Sequence, residues 1–176
     1  VYQTCVSALI GDDLEAICAT EAARVGRPVI PVPAPGFAGS KNQGNKMAGA
    51  TLLDRVVGTQ EPAVTTATDV TLIAEYNVVG ELWQLTPLFE RLGIRLLACI
   101  TGDARYHEVA RAHRAKAAMV ICAQAMGNVG TKLQERWGVP CFEGSFHSIA
   151  ATSKALRNLA RLLVEQGAPT DLIDRT

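Results

Sequence analysis

Two of the five cysteines stand where a predicted strand gives way to a loop or a helix. Cys122 ends the apolar run "AAMVIC" and is followed at once by the helical pattern "AQAMGNVG", while Cys5 follows the short apolar start of the chain. A helix N-terminus favours the thiolate form of a cysteine, and a thiolate is a soft ligand suited to iron–sulfur chemistry. Both residues are candidate metal ligands, although each alone is more simply explained as a small apolar side chain in the core.

The other three cysteines are predicted to be structural, because Cys99 and Cys141 lie inside apolar runs and Cys18 lies on the apolar stripe of a predicted helix. The five thiols include no Cys-x-x-Cys pair, which indicates neither a disulfide framework nor a self-contained zinc site. Isolated thiols are typical of a reducing compartment, so we expect a cytoplasmic protein. A cubane cluster needs about four ligands, so the others would come from another chain or from outside this sequence.

The segment "GFAGSKNQGNK" (36–46) is predicted to be a loop that opens a helix running to about Val57. Two of its glycines are separated by four residues, as in a phosphate-binding loop, but Asn45 and Lys46 follow where that motif has Lys and then Ser or Thr. The segment therefore does not indicate a nucleotide site. Lys41, beside helix N–H groups, would still attract some other anion.

The segment "FEGSFHS" (142–148) carries Ser145 and His147 after the last predicted strand. A hydrolase elbow is not indicated, because Ser145 lacks the G-x-S-x-G context. His147 could act as a ligand or a base, but a single histidine at such a position is more often a loop residue.

Apolar runs alternate with amphipathic stretches along the whole chain and would position these residues. The predicted strands are 1–4, 28–33, 70–76, 95–101, 117–122 and 140–146. The predicted helices are 11–26 (capped by Asp12), the helix that the 36–46 loop opens, 80–93, 103–115, 123–138 and 148–167. Continuous apolar strands, each followed by a helix, predict an α/β fold with Rossmann-like parallel sheets and helices on both faces.

A polar, Pro- and Thr-rich segment at 58–69 is the best linker candidate. We therefore predict that 1–62 is an incomplete part of a first α/β domain and that 63–176 is a second, Rossmann-like α/β domain. Ligands collect at the carboxyl ends of parallel strands. The corresponding candidate segments are Thr4-Cys5, Gly36–Asn45, Glu75–Gly80, Thr101–Asp103, Cys122–Gln124 and Glu143–His147.

The composition argues against a nucleic-acid or membrane partner. Lys plus Arg and Asp plus Glu are both 17, so the formal net charge is zero, whereas nucleic acids and anionic membranes call for a basic excess. No apolar run reaches the length that spans a bilayer. The sequence begins without Met and stops directly after a long helical pattern, which indicates a piece of a longer protein.

Several long blocks resemble the nitrogenase component 1 superfamily, in order and over essentially the whole chain. They include "CVSALIGDDLEAIC", "VIPVPAPGFAGSKNQGNKMAGATLLDRVVGT", "DVTLIAEYNVVGELWQL", "CITGDARYHEVARAHRAKAAMVICAQAM" and "ERWGVPCFEGSFHSI". Within the superfamily they are most similar to the α-type subunit of the scaffold on which the iron–molybdenum cofactor is assembled. The resemblance implies a nitrogenase component 1-like fold, of which this chain is an interior part.

The resemblance gives the two junction cysteines specific roles. Cys5 matches a thiolate that holds the iron–sulfur cluster at the subunit interface, whose other ligands lie upstream of Val1 and on the partner subunit. Cys122 matches the ligand of the terminal iron of the iron–molybdenum cofactor, and in the scaffold it is expected to hold the precursor cluster. The histidine at the other end of the cofactor would lie beyond Thr176.

Differences from the catalytic subunits favour the scaffold. Lys41 and Asn45 match a Gln and a His near the cofactor, so the imidazole that helps to deliver protons is missing and a positive charge is added. Ala123 and Gln124 replace larger polar residues beside Cys122, which implies a more accessible cluster.

The implied function is cofactor assembly rather than catalysis by a side chain. The scaffold would hold an iron–sulfur precursor while molybdenum and homocitrate are inserted, as an α2β2 heterotetramer with a homologous β-type subunit. The reductase component of nitrogenase and a protein that donates the precursor would be its other partners. Two alternatives remain: a catalytic nitrogenase or nitrogenase-like reductase α subunit, and a small-molecule-binding Rossmann-like domain with only structural thiols.

Overall fold

The computed structural model describes residues 1–78 and 80–176. Four parallel strands form one sheet in the order β2-β1-β3-β4. They are β1 (Asp69–Glu75), β2 (Arg95–Thr101), β3 (Ala117–Val120) and β4 (Cys141–Glu143). Every residue of β1 and β3 is buried, as expected of strands with apolar residues on both faces. The predicted α/β fold with a parallel sheet is confirmed.

Helices cover both faces of this sheet. One face packs against α4 (Glu81–Leu92), α7 (Ile149–Glu165) and α8 (Asp171–Asp174) around a core that includes Phe89, Leu159 and Leu163. The opposite face packs against α3 (Lys41–Arg55), α5 (Tyr106–Arg111) and α6 (Ala123–Trp137) around Ile100, Val129 and Leu133. The two layers of helices bury the central strands β1 and β3, whereas the edge strands β2 and β4 are only partly buried.

Helix α3 packs closely against α6. A Cβ atom added to Gly49 of α3 would lie 2.5 Å from Val129 Cγ2 of α6, so only glycine permits this approach. Leu53 and Val56 contribute to the core shared with α6. The division of the chain at residue 62 stays a prediction, although residues on both sides of it share this core.

The first forty residues differ most from the predicted elements. The strand predicted at 1–4 is reduced to one bridge between Tyr2 and Val32, and α1 (Cys5–Leu9) begins directly afterwards. The strand predicted at 28–33 is likewise reduced to this bridge, because its prolines cannot donate ladder hydrogen bonds. Helix α2 (Leu14–Val25) is capped by Asp13 and not by Asp12, because the Asp13 carboxylate accepts the Ala16 N–H at 3.0 Å.

In the second half the predicted elements are present with altered boundaries, and one short helix is added. Strand β3 stops before Cys122, α5 is shorter than predicted and continues into a 3₁₀ turn over Ala112–Arg114, and α8 was not predicted. Within the described residues, no helix combines the length and the apolar character needed to cross a membrane.

Candidate metal-cluster site

The strand order creates a crevice at the carboxyl ends of β1 and β3. From β1 the chain leads to β2 on one side, whereas β3 lies on the other side, and ligands of open parallel sheets bind at this kind of switch point. Ile73 pairs with Val120, and the Ile121 N–H donates to the Ile73 carbonyl at 2.9 Å. Tyr76 follows the last residue of β1, and Cys122 lies two residues after the last residue of β3, so both stand at the carboxyl ends that border the crevice.

Cys122 is the N-cap residue of α6 and is half-buried. The first turn of α6 is set off from the rest of the helix by Met126, whose φ of −139° and ψ of 23° are not helical. The Cys122 carbonyl accepts the N–H groups of Ala125 and Met126, both at 3.1 Å, which fixes the backbone of the cysteine at the first turn. The positive end of the helix dipole favours a negative charge at this position. The thiol predicted to be a ligand thus stands at the crevice, and its side chain is partly open to solvent.

Tyr76 is a functional candidate that the sequence did not single out. Burial and the negative charge of the Cys122 thiolate together raise the pKa of the Tyr76 phenol. The phenol therefore stays protonated near neutral pH and can donate a hydrogen bond toward the sulfur side of the crevice. The sequence points only to the segment from 75 to 80 as a whole, because proximity to Cys122 depends on strand order.

The loop after β1 is held by close backbone contacts. The Asn77 N–H donates to the buried carboxylate of Glu75 at 2.6 Å, and the Asn77 side chain accepts the Leu82 N–H at 3.2 Å. A Cβ atom on Gly102 would lie 2.6 Å from the Glu75 carbonyl oxygen and 2.6 Å from the Tyr76 carbonyl carbon. Only glycine allows the loops after β1 and β2 to meet in this way, so Gly102 helps to place Tyr76.

Lys41 and Asn45 lie in the first turns of α3 and not in a loop as predicted. Helices α3 and α6 run in the same direction, since Asn128 of α6 donates to the Lys46 carbonyl at 3.1 Å and Arg136 pairs with Asp54. Both contacts join residues 82 positions apart, and the same offset brings Lys41 level with the start of α6. The N-terminus of α3 therefore lies at the same end of the molecule as Cys122.

The side chains at these two helix starts differ in exposure. Lys41 is exposed and borders a cavity of about 270 Å³ beneath residues 34–40, whereas Asn45 is half-buried. On α6, Gln124 is exposed and Ala123 is half-buried. The end of the molecule that carries Cys122 therefore presents one cation, two amides and a small apolar side chain.

Cys5 belongs to a different part of the structure from Cys122. It is the exposed first residue of α1, and its Sγ would lie 3.1 Å from a Cβ atom added to Gly36. Within residues 1–78 and 80–176, no three His, Cys, Asp or Glu side chains converge on one metal position. Each of the two thiols can therefore supply one ligand to a cluster completed by groups outside this chain.

The remaining thiols are structural. Cys18 and Cys99 are buried, and burial raises the pKa of Cys99 to about 12. Burial likewise raises the pKa of the half-buried Cys141 to about 11. Cys99 and Cys141 therefore stay neutral at physiological pH, which makes them poor ligands.

The segment after β4 shows a local turn. His147 is exposed, and its N–H donates to Ser145 Oγ at 3.2 Å. The loop interpretation of His147 is confirmed.

Comparison with known proteins agrees with this architecture. The family model for nitrogenase component 1 type oxidoreductases matches residues 1–176. The chain is 57% identical over 176 residues to the nitrogenase iron-molybdenum cofactor biosynthesis protein NifE of Bradyrhizobium diazoefficiens, covering all of this chain and 32% of that protein. It is 58% identical over 175 residues to the protein of the same name from Rhodobacter capsulatus, covering 99% of this chain and 37% of that protein.

A solved structure of nitrogenase Cp1 at pH 6.5 superposes with a TM-score of 0.92 at 27% identity, over 99% of this chain and 33% of the solved chain. The chain therefore spans about a third of the length of the relatives that it matches. Because the family model covers every residue, the chain belongs to the nitrogenase component 1 type oxidoreductase family.

Proposed function

We propose that this chain is part of the α-type subunit of the scaffold on which the iron–molybdenum cofactor of nitrogenase is assembled. The observation that carries the proposal is Cys122, a partly exposed thiol at the switch-point crevice of a chain 57% identical to a cofactor biosynthesis protein. The cluster is the cargo of such a protein: it arrives as an iron–sulfur precursor and leaves after molybdenum and homocitrate have been added.

The donor groups present fit this cargo. A single thiolate at the N-terminus of α6 binds one iron of a cluster, and the positive end of the helix offsets the negative charge of the sulfur. Tyr76 offers a protonated hydroxyl on the neighbouring strand end. One protein ligand at this end holds a cluster without enclosing it, which is what loading and release require.

Lys41 and Asn45 support a scaffold rather than a reductase. Lys41 supplies a positive charge at the same end as Cys122, and an anionic cluster or the carboxylates of homocitrate would be attracted to it. Neither side chain is an imidazole, the group that would serve proton delivery in a reductase. Gln124 contributes an exposed amide that can hydrogen-bond the cargo.

Cys5 has a separate role in the proposal. Its exposed thiol would supply one ligand to an iron–sulfur cluster shared with the homologous β-type subunit of an α2β2 heterotetramer. The nitrogenase reductase component and the precursor donor would dock on this assembly in the cytoplasm. We infer no nucleic-acid or membrane partner from a formal net charge of zero.

Iron analysis of a Cys122→Ala variant tests the proposal in the full-length chain with its partner subunit. We expect the variant to lose the iron of the precursor cluster and its electron paramagnetic resonance signal, while the shared cluster at Cys5 stays loaded. Cys141→Ala is the matched control, since it removes a half-buried thiol that packs against the core and should leave the iron content unchanged. Unchanged precursor loading in Cys122→Ala would overturn the ligand role and favour a domain with structural thiols only.

The second candidate is a catalytic α subunit, favoured by the TM-score of 0.92 with nitrogenase Cp1. A catalytic subunit and a scaffold subunit differ in whether their complex reduces substrate repeatedly. The full complex, supplied with reductant, ATP and the reductase component, should reduce acetylene only if the catalytic alternative holds.

A further inference from the structure

A cavity of about 370 Å³ lies beside the free edge of the sheet, on the α5 side. Its walls are the linker residues Pro62–Val64, the first half of the edge strand β2, and α5. The charged or titratable side chains that border it are Arg95, His107, Glu108 and Arg111. The proposed cluster residues do not border this cavity, so its role must be argued separately.

Two of these charges are already neutralised. Arg95 donates from Nε and Nη2 to the two carboxylate oxygens of Asp69 at 2.6 Å, and from Nη2 to the Val64 carbonyl at 2.8 Å, so its charge is paired within the cavity wall. The Glu108 carboxylate accepts from Arg105 Nη1 at 3.3 Å. His107 Nε2 lies 3.9 Å from the same carboxylate, and its ring is half exposed.

Arg111 is not paired in the way that Arg95 and Glu108 are. Among the described residues, its guanidinium has no hydrogen-bond or ion-pair partner, and its Nε atom is buried without an acceptor. Glu108 stands one helical turn before it but is engaged by Arg105. A buried donor without an acceptor is unfavourable, and a guanidinium presents a planar fork of donors that matches a carboxylate. The unpaired charge of this cavity is therefore positive.

We propose that this cavity binds a small organic anion through a carboxylate paired with Arg111. The apolar walls made by Pro62, Val64 and Leu97 would contact the carbon skeleton of such an anion. The carbon skeleton distinguishes such an anion from inorganic phosphate, which has no apolar part to contact these walls. The site shares no residue with the cluster crevice, so the proposal of anion binding and the scaffold proposal can be refuted separately.

Isothermal titration of succinate into the full-length chain with its partner tests this site. We expect saturable binding, weakened at least tenfold in Arg111→Gln. Arg157→Gln is the matched control, since it removes the same charge from an exposed position on α7 and should bind succinate as the wild type does. Arg111→Lys keeps the charge but loses the planar fork, and we expect intermediate binding.

Three results would overturn the proposal. They are absence of succinate binding to the wild type, equal weakening in Arg157→Gln and Arg111→Gln, and inorganic phosphate binding more tightly than succinate at the same site. Circular dichroism and the apparent melting temperature identify a misfolded variant. Loss of succinate binding in a folded Arg111→Gln or Arg111→Lys protein supports the site, and unchanged binding in both excludes it.

Discussion

At the scale of single residues, the same chemical group has two different roles according to its surroundings. Cys122 and Cys141 are both half-buried thiols on the same side of the sheet. Cys122 caps the first turn of α6, whose N–H groups favour negative charge. Cys141 lies in a strand, where burial and the charge of Glu143 raise its pKa to about 11. Position, and not residue type, therefore distinguishes a candidate ligand from a packing residue.

This difference predicts a selective alkylation pattern. In the metal-free full-length protein at pH 8, iodoacetamide should modify Cys122 at least about tenfold faster than Cys141 or Cys99, because raised pKa values leave few thiolates at the latter two. Mass spectrometry of tryptic peptides over time measures the rates. Equal rates at Cys122 and Cys141 would contradict the assignment of separate roles.

At the scale of elements, the crevice depends on two loops that meet through one glycine. The Gly102 N–H donates to the Glu75 carbonyl, and the added Cβ of any other residue would lie 2.6 Å from that oxygen. Ala74 and Asn77, in the β1 strand end and its loop, have φ angles of 61° and 51°, which are costly for residues with a side chain. The contact with Gly102 therefore helps to hold a strained segment that carries Tyr76.

We expect Gly102→Ala to separate these loops and to destabilise the protein by about 1–3 kcal/mol through overpacking. The apparent melting temperature and tyrosine fluorescence measure the two effects. Gly127→Ala is the control, because its Cβ would meet only Ala123 Cβ at 3.6 Å, an ordinary van der Waals contact. A Gly102→Ala variant as stable as Gly127→Ala would show that the close approach relaxes without cost.

Local patterns predict some elements better than others. Strand β2 begins and ends at the predicted residues because its apolar run is bounded by Gly93 and Gly102. The segment around Lys41 was predicted to be a loop from its Gly and Asn content, yet it is helical because α3 packs against α6 at Gly49. Such tertiary packing overrides weak propensity.

The candidate site shows the same limit. Cys122 could be placed at a strand end from the sequence, but its neighbour Tyr76 depends on the strand order β2-β1-β3-β4. Strand order is a property of the whole sheet, and the local hydrophobic periodicity does not predict it. The switch point could therefore be identified only from the structure.

At the scale of the whole molecule, the end of the sheet opposite the crevice is held by a buried ion pair. Asp69 is fully buried at the start of β1 and pairs with Arg95 of β2 at 2.6 Å. Burial opposes the charge on Asp69, but the hydrogen bonds from Arg95 and Thr66 outweigh it and hold the pKa of Asp69 below its usual value. The pair joins the linker to the two strands, so it supports the fold far from the proposed cluster.

A lowered pKa in the folded state means that the ionised Asp69 stabilises the protein above the usual aspartate pKa, and that this stability is lost as the pH falls through the lowered value. Asp69→Asn should therefore reduce the apparent melting temperature at pH 7, at a cost of about 2 kcal/mol or more, since Arg95 loses its partner. The gap between wild type and variant should narrow only below about pH 4. Asp54→Asn, in an exposed pair with Arg136, should cost less than about 1 kcal/mol. A gap at Asp69 that stays constant from pH 7 to pH 3 would mean that packing, and not charge, holds this end of the sheet.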